Sequence, residues 1–226
     1  LAKADDGTRT VVLSADAKTE RASGVVRVRA RFAPGSMGLL APLVVERELA
    51  VSVGAPNLLR DGGLQTPGLS QWTPERTSAY SWDAEVSHSE LGSLRLEGPF
   101  DRRLVHWRIT PTAGRPMKVQ AWVRSRDLVG GLVTLNVAFF RDKWLGSWCL
   151  AATGPVGELE TGWSVLPNLG HLPTGTTDWT LVEAVLPAES IPTDAATAAF
   201  YIDAKGGGSG TIWLDDLDLW QSEADE

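Results

Sequence analysis

The sequence predicts an all-β protein, and three observations carry that prediction. Short runs in which apolar and polar residues alternate are separated by turn signals at Pro67-Gly68, Thr112-Ala113-Gly114, Gly130-Gly131 and Gly206-Gly207-Gly208-Ser209-Gly210, the pattern of a β-sandwich or barrel. No window holds a helical period beyond two turns. The 226 residues include ten Trp against two Tyr and five Phe; Trp is a large flat side chain that fills a core or lies under a ligand ring.

The first strands are expected at Thr8–Ala15, Gly24–Phe32 and Pro42–Val53, where Val26, Val28 and Ala30 alternate with Arg27, Arg29 and Arg31. Some fifty residues give only a thin core. Residues 1–53 therefore read as the end of a preceding β domain or as strands added to the main sandwich. Gly54-Ala55-Pro56 serves as the linker, since Gly and Pro punctuate and Pro cannot continue a central strand. Leu1-Ala2-Lys3-Ala4-Asp5 carries no Met and no apolar leader region, so the chain is expected to be a piece of a longer precursor. Residues 57–222 then hold strands near 57–60, 80–87, 92–97, 103–111, 116–125, 131–140, 146–152, 179–186, 196–204 and 211–220.

Charge and cysteine content narrow the function. A net charge of −7 argues against nucleic acid and anionic membranes, because nothing offsets repulsion from phosphates. No apolar run approaches a membrane span, so no membrane insertion is expected. The lone Cys149 excludes an intrachain disulfide and reads as a small buried hydrophobe.

Alternation assigns side chains to faces. In RLVHWRITP, Val105, Trp107 and Ile109 share one face, opposite Leu104, His106 and Arg108. In KVQAWVRS, Val119, Ala121 and Val123 form the aliphatic set, opposite Lys118, Gln120, Trp122 and Arg124. In TLNVAFFRD, Leu135, Val137 and Phe139 are core, opposite Asn136, Ala138 and Phe140; in AAFYIDAK, Phe200 and Ile202 oppose Tyr201 and Asp203. The faces away from the core thus combine Trp122, Phe140 and Tyr201 with Arg108, Gln120, Asn136 and Asp203. Trp107 and Trp213 are expected in the core. Trp122 has a second role open to it, packing beneath a loop or beneath the N-terminal strands.

Two segments carry a family resemblance. Asn57–Trp72 reads NLLRDGGLQTPGLSQW, and Thr211–Trp220 reads TIWLDDLDLW with the acidic pair Asp215-Asp216 in mid-strand, where strands disfavour Asp. Together they resemble the opening strand, Asn-Leu-(Leu/Ile)-x-Asn-Gly-x-Phe-Glu, and the closing strand, (Val/Phe)-(Trp/Tyr)-(Leu/Ile/Phe)-Asp-Asp-(Val/Leu)-x-Leu, of the calcium-containing jelly-roll carbohydrate-binding modules of bacterial polysaccharide-degrading enzymes. SLRLEG (Ser93–Gly98), VQAWVRS (Val119–Ser125) and DWTLVEAVLP (Asp178–Pro187) add to it. The resemblance implies a two-sheet antiparallel jelly roll with the first and last strands adjacent. It also implies a cleft on one sheet in which Trp122, Phe140 and Tyr201 stack on sugar while Arg108, Gln120, Asn136 and Asp203 bind hydroxyls. Trp144 and Trp148, four apart beside Arg141, Asp142 and Lys143, are a secondary aromatic platform.

The family's structural Ca²⁺ falls on Asp216, a carbonyl near Asp61–Gly63, and Gln65 in place of the family's Glu, with Asp61 at the family's Asn position. Calcium takes six to eight hard oxygens, so an amide for a carboxylate weakens the site; the alternative is that Asp215 and Asp216 cap backbone N–H groups at a bend. The expected function is a non-catalytic module, extracellular or at the cell surface, that attaches a larger secreted protein to a polysaccharide or oligosaccharide, with neighbouring domains of that chain as further partners. A structural or protein-interaction sandwich is the alternative. A jelly-roll glycan-active enzyme is the third reading, resting on Glu158 and Glu160 as a carboxylate pair across a cleft.

Overall fold

The computed structural model describes residues 21–32, 43–54, 56–60, 62, 64, 72–74, 80–89, 92–156 and 163–221. The chain divides into two compact units, residues 1–56 and 57–226. In the first, β1 (Arg21–Phe32) and β2 (Leu43–Gly54) form an antiparallel hairpin in unbroken register from Arg21 opposite Gly54 to Phe32 opposite Leu43. The strand expected at Thr8–Ala15 lies outside the described residues.

The second unit is a β-sandwich. Its strands are β3 (Thr73–Pro74), β4 (Tyr80–Asp83), β5 (Ser93–Glu97), β6 (Phe100–Ile109), β7 (Met117–Val129), β8 (Leu132–Phe140), β9 (Trp144–Ala152), β10 (Trp163–His171), β11 (Gly175–Leu186), β12 (Thr197–Gly207) and β13 (Ser209–Gln221). A six-stranded sheet runs β10-β9-β8-β12-β6-β3, and a five-stranded sheet runs β11-β7-β13-β5-β4. Their facing sides enclose one core, in which Leu104, Leu135, Val137, Phe139, Phe200 and Ile202 of the first sheet meet Leu94, Leu96, Val119, Ala121, Val123, Ile212 and Leu214 of the second. These are the core sets that alternation gives for β7, β8 and β12.

Three features depart from the expected layout. The pairing is antiparallel except for β9 with β10, which run parallel. β10 itself is absent from the sequence reading, because Pro167 interrupts it; its pairing with β9 breaks between Val165 and Gly170, and an edge strand tolerates a residue that cannot donate to a ladder. Residues 57–60 are an irregular segment instead of a strand. It nevertheless lies against the closing strand. Leu58 N–H donates to the Leu219 carbonyl and Leu217 N–H to the Gly62 carbonyl. Asn57 bonds the Leu217 carbonyl and Asp218 through Nδ2, and accepts from the amides of Leu59 and Leu219 at Oδ1. A Cβ at Gly62 would fall 2.2 Å from the Leu217 carbonyl oxygen, so the Gly in this opening motif is a packing requirement.

Candidate functional site: the outward face of the six-stranded sheet

Register places the outward side chains of this sheet in rows. Trp163 of β10 lies opposite Ser147 of β9, which pairs with Ala138 of β8, itself opposite Ala199 of β12. The next row runs Val165, Cys149, Asn136, Tyr201 and Val105, and a third carries Thr134, Asp203 and Arg103. The floor is therefore made of small side chains, and Val105, Ala138, Ala199 and Tyr201 form a second apolar cluster separate from the main core, with Phe140 and Trp163 packed on it.

Aromatic rings stand over that floor. Tyr201, 6% exposed, is met edge-on by Trp163 with centroids 5.7 Å apart and by Trp107 at 6.1 Å; Phe140 lies 6.0 Å from Trp107. Trp107 remains 41% exposed. Trp144, 47% exposed, pairs with Phe140 in register and donates from Nε1 to the Ser147 hydroxyl at 2.7 Å. Trp107 and Trp144 sit on strands three places apart, a span of about 14 Å at the usual strand spacing.

Polar groups border the rings. Arg103 pairs with Asp203 at 2.7 Å in a largely buried ion pair, and its guanidinium lies 5.5 Å from the Tyr201 ring centroid. Asn136 donates to the Thr134 hydroxyl, and neither its Oδ1 nor Asp203 Oδ1 has a partner among the described residues. Two unpaired buried acceptors side by side on adjacent strands are unusual in a folded interior. Beside them, burial pushes the Cys149 thiol up to about 12, against smaller pulls from the Ala151 backbone and the Lys205 charge. Cys149 is thus a neutral, fully buried side chain at ordinary pH and no nucleophile.

The residues expected to share one cleft are divided between the two sheets. Asn136, Phe140, Tyr201 and Asp203 face outward on the six-stranded sheet, but β7 belongs to the other sheet, so Trp122 and Gln120 lie on the opposite side of the sandwich. There Trp122 stacks on His88 with centroids 3.9 Å apart, and Gln120 bonds Asp218. Sheet membership depends on long-range pairing and is not encoded in local alternation. Arg108 is exposed at a bulge in β6, with φ of +65°. That bulge corrects the reading of β6. The register slips between Ala198 opposite Ile109 and Phe200 opposite His106, so Leu104 and Ile109, five apart, both reach the core while Trp107 turns outward. A similar slip, between Phe139 opposite Gly146 and Phe140 opposite Trp144, separates the secondary pair: Trp144 faces out, and Trp148 packs against the core with Nε1 bonded to the Ser190 carbonyl. Trp213 is buried but outside the core, beneath Arg124 and Arg126. Trp107 is the functional candidate that sequence reasoning missed, while Trp163, expected only as a loop or strand-end aromatic beside Trp144 and Trp148, joins the outward face. For Trp107 the signal was available: two apolar core residues an odd number of positions apart within one strand require a bulge.

Asp61 and Gln65 lie outside the described residues, as do Glu158 and Glu160. Of the expected metal set, Asp216 and the Gly62 carbonyl are described, beside the neighbouring Asp215. Asp215, fully buried, accepts from the amides of His88 at 2.7 Å, Ser89 at 3.0 Å and Asp216 at 2.8 Å. Burial, reinforced by the Asp216 charge, holds its carboxyl above the usual range although those N–H groups pull the other way. Asp216 sits at a break in the β13–β7 register with φ of +45° and pairs with His88 Nδ1 at 2.8 Å. The Gly62 carbonyl accepts from Leu217. Among the described residues no group of three His, Cys, Asp or Glu converges on one point. Asp215 thus caps residues 88–89 through hydrogen bonds, and Asp216 is the one described side chain of the expected calcium set.

No protein-family model matches the sequence, and none of the curated proteins is similar to it in sequence. Solved structures are similar in fold. The enzymatically active domain of bacteriophage CBA120 tailspike protein 4 matches at 16% identity and a TM-score of 0.51, over 73% of this chain and 21% of that one, so the chain spans about a fifth of its length. TmCBM61, solved with β-1,4-galactotriose, matches at 14% identity and 0.49 over 74% of this chain and 100% of its own. The CBM22-2 xylan-binding domain of Paenibacillus barcinonensis Xyn10C matches at 13% and 0.46, over 71% and 97%. At such identities the likeness is one of fold: a β-sandwich whose structural neighbours include carbohydrate-binding modules.

Proposed function

We propose that residues 57–222 form a non-catalytic carbohydrate-binding module. It takes a neutral polysaccharide or oligosaccharide on the outward face of the six-stranded sheet and attaches a larger secreted protein to it. The observation that carries this reading is the row of rings, Trp163, Tyr201, Trp107 and Phe140, standing over a floor of Ser147, Ala138 and Ala199. Indole and phenyl faces accept the axial C–H groups of a sugar. Asn136 and Asp203 lie buried beneath the rings, each with an Oδ1 that has no partner among the described residues, and exposed Arg108 offers donors at the rim. The span from Trp107 to Trp144 suits a chain of several sugars better than a single ring. The net negative charge favours neutral over acidic glycans. The extracellular or cell-surface placement belongs to the same proposal; no helix among the described residues is long and apolar enough to cross a membrane.

A protein-interaction role is the second reading, and one observation favours it: edge strand β11 leaves Leu181 and Val185 40% and 48% exposed on one face. The test is a binding panel of soluble neutral polysaccharides, including galactan and xylan, with acidic glycans as controls and reducing-end release measured in parallel. Retention on a neutral glycan without release supports the module. Binding to none of them favours the interaction reading, and release of reducing ends replaces both with an enzyme.

A further inference from the structure

The other side of the sandwich carries a cleft of about 530 Å³, lined on the outward face of the five-stranded sheet by Asp83, Glu85, Arg95, Arg126 and Trp213 among others. That volume lies within the range of small-molecule sites. Its wall is fixed in place. Asp83 accepts from Trp213 Nε1 at 2.9 Å and from the amides of Glu85 at 3.0 Å and Val86 at 3.1 Å. The loop that follows is pinned again where Ser93 bonds the Val86 carbonyl and Asp215 bonds the amides of His88 and Ser89.

Within this frame the charged heads are not closed on one another. Glu85 and Arg126 both line the cleft, and neither side chain has an ion-pair or hydrogen-bond partner among the described residues; the Arg126 guanidinium lies over the Trp213 ring, 5.3 Å from its centroid. Arg95 gives one nitrogen to Glu97 at 2.7 Å and keeps its Nε–H without a described partner. A ligand of single charge would meet one attracting and one repelling head. A polyhydroxylated ligand meets no such conflict, because a hydroxyl donates to the carboxylate and accepts from the guanidinium. We propose that this cleft is a second binding site, distinct from the aromatic face, which takes a neutral saccharide unit between Glu85 and the guanidiniums of Arg95 and Arg126. The two sites lie back to back on opposite sheets, so they engage different chains or distant parts of one chain, and retention on a long glycan then exceeds that of either site alone.

The ten indole N–H signals of the ¹⁵N-labelled full chain separate the two sites in a titration with β-1,4-galactotriose, xylohexaose and, as the charged control, glucuronic acid. The proposal predicts a saturating shift of the Trp213 indole with a neutral oligosaccharide. Arg126→Ala and Glu85→Gln, both at exposed positions, should weaken it about tenfold or more while leaving the Trp107 response as in the wild type. Movement of Trp107 with Trp213 unmoved overturns the second site and leaves the first. Movement of neither overturns both. Saturation of Trp213 by glucuronic acid alone, or a Trp213 shift unchanged in both variants, overturns the assignment of this cleft to neutral sugar.

Discussion

Replacing Asn57 by Ala removes the contact that joins the opening segment to the closing strand. Four hydrogen bonds go with the side chain: two donated by Nδ2, to the Leu217 carbonyl and Asp218, and two accepted by Oδ1, from the amides of Leu59 and Leu219. At about 0.5–1.5 kcal/mol net for each, and with backbone groups of the half-buried strand left without partners, the loss is about 2–6 kcal/mol. For a unit of this size that lowers Tm by about 4–24 °C. Denaturant unfolding of wild type and variant side by side measures it, with the midpoint shifting at constant slope. Asn57→Asp is the sharper control. It keeps both accepted bonds, loses both donated ones, and brings a second carboxylate against Asp218, so it should be no more stable than Ala. A loss under about 0.5 kcal/mol in Asn57→Ala, or an Asp variant as stable as wild type, would refute the pinning role assigned to this residue.

Three further outcomes follow from particular contacts. Arg103→Ala strands the Asp203 carboxylate, 5% exposed, and should cost about 3–5 kcal/mol, read by denaturant unfolding. Asp83 has its carboxyl held below the ordinary 3.8: burial pushes it up, but the Trp213 indole, the amides of Glu85 and Val86, and the Arg95 charge together outweigh burial. A lowered folded-state value means its contribution is present above pH 3.8 and fades as pH falls below, so the acid limb of the stability curve should flatten in Asp83→Asn, and an unchanged limb would count against those bonds. Because Asp215 and Asp216 are already committed to His88 and Ser89, EDTA followed by excess Ca²⁺ should leave Tm where it was; a rise would mean that Asp61 and Gln65 complete a calcium shell with Asp216.

How far the sequence reaches is set by how local each determinant is. The core faces of β7, β8 and β12 follow from period-two alternation, because the β8–β12 ladder is unbroken and β7 pairs with β11 without a slip from Val123 to Met117. The same rule misplaces Trp107, because the bulge at Trp107-Arg108 resets the parity of β6, and it puts Trp144 and Trp148 on one platform although the slip beside Leu145 turns them apart. Trp122 and Tyr201 look alike in sequence, each an aromatic among polar neighbours. Only the strand order separates them, and strand order is fixed by contacts far apart in the chain. Trp163 opens a parallel edge strand interrupted by Pro167, which no alternation reveals. The acidic pair is legible as an anomaly and ambiguous as to cause: two Asp in a strand signal a bend, and the amides that Asp215 caps, with the His88 ring that Asp216 meets, come from residues 88–89, more than a hundred positions earlier.

Isothermal titration of a neutral oligosaccharide that the wild type binds, run on Trp107→Ala and Trp122→Ala in parallel, tests the central claim most directly. Trp107 leaves 41% of its surface open, about 60–100 Å² of an aromatic side chain. Covering that area with sugar is worth about 1.5–2.5 kcal/mol, so Trp107→Ala should bind about tenfold to seventyfold more weakly. Trp122, on the other sheet beneath His88, should leave the aromatic-face affinity unchanged when replaced. Full affinity in Trp107→Ala with binding lost in Trp122→Ala would place the sugar beside Trp122 instead of on the aromatic face and contradict the account.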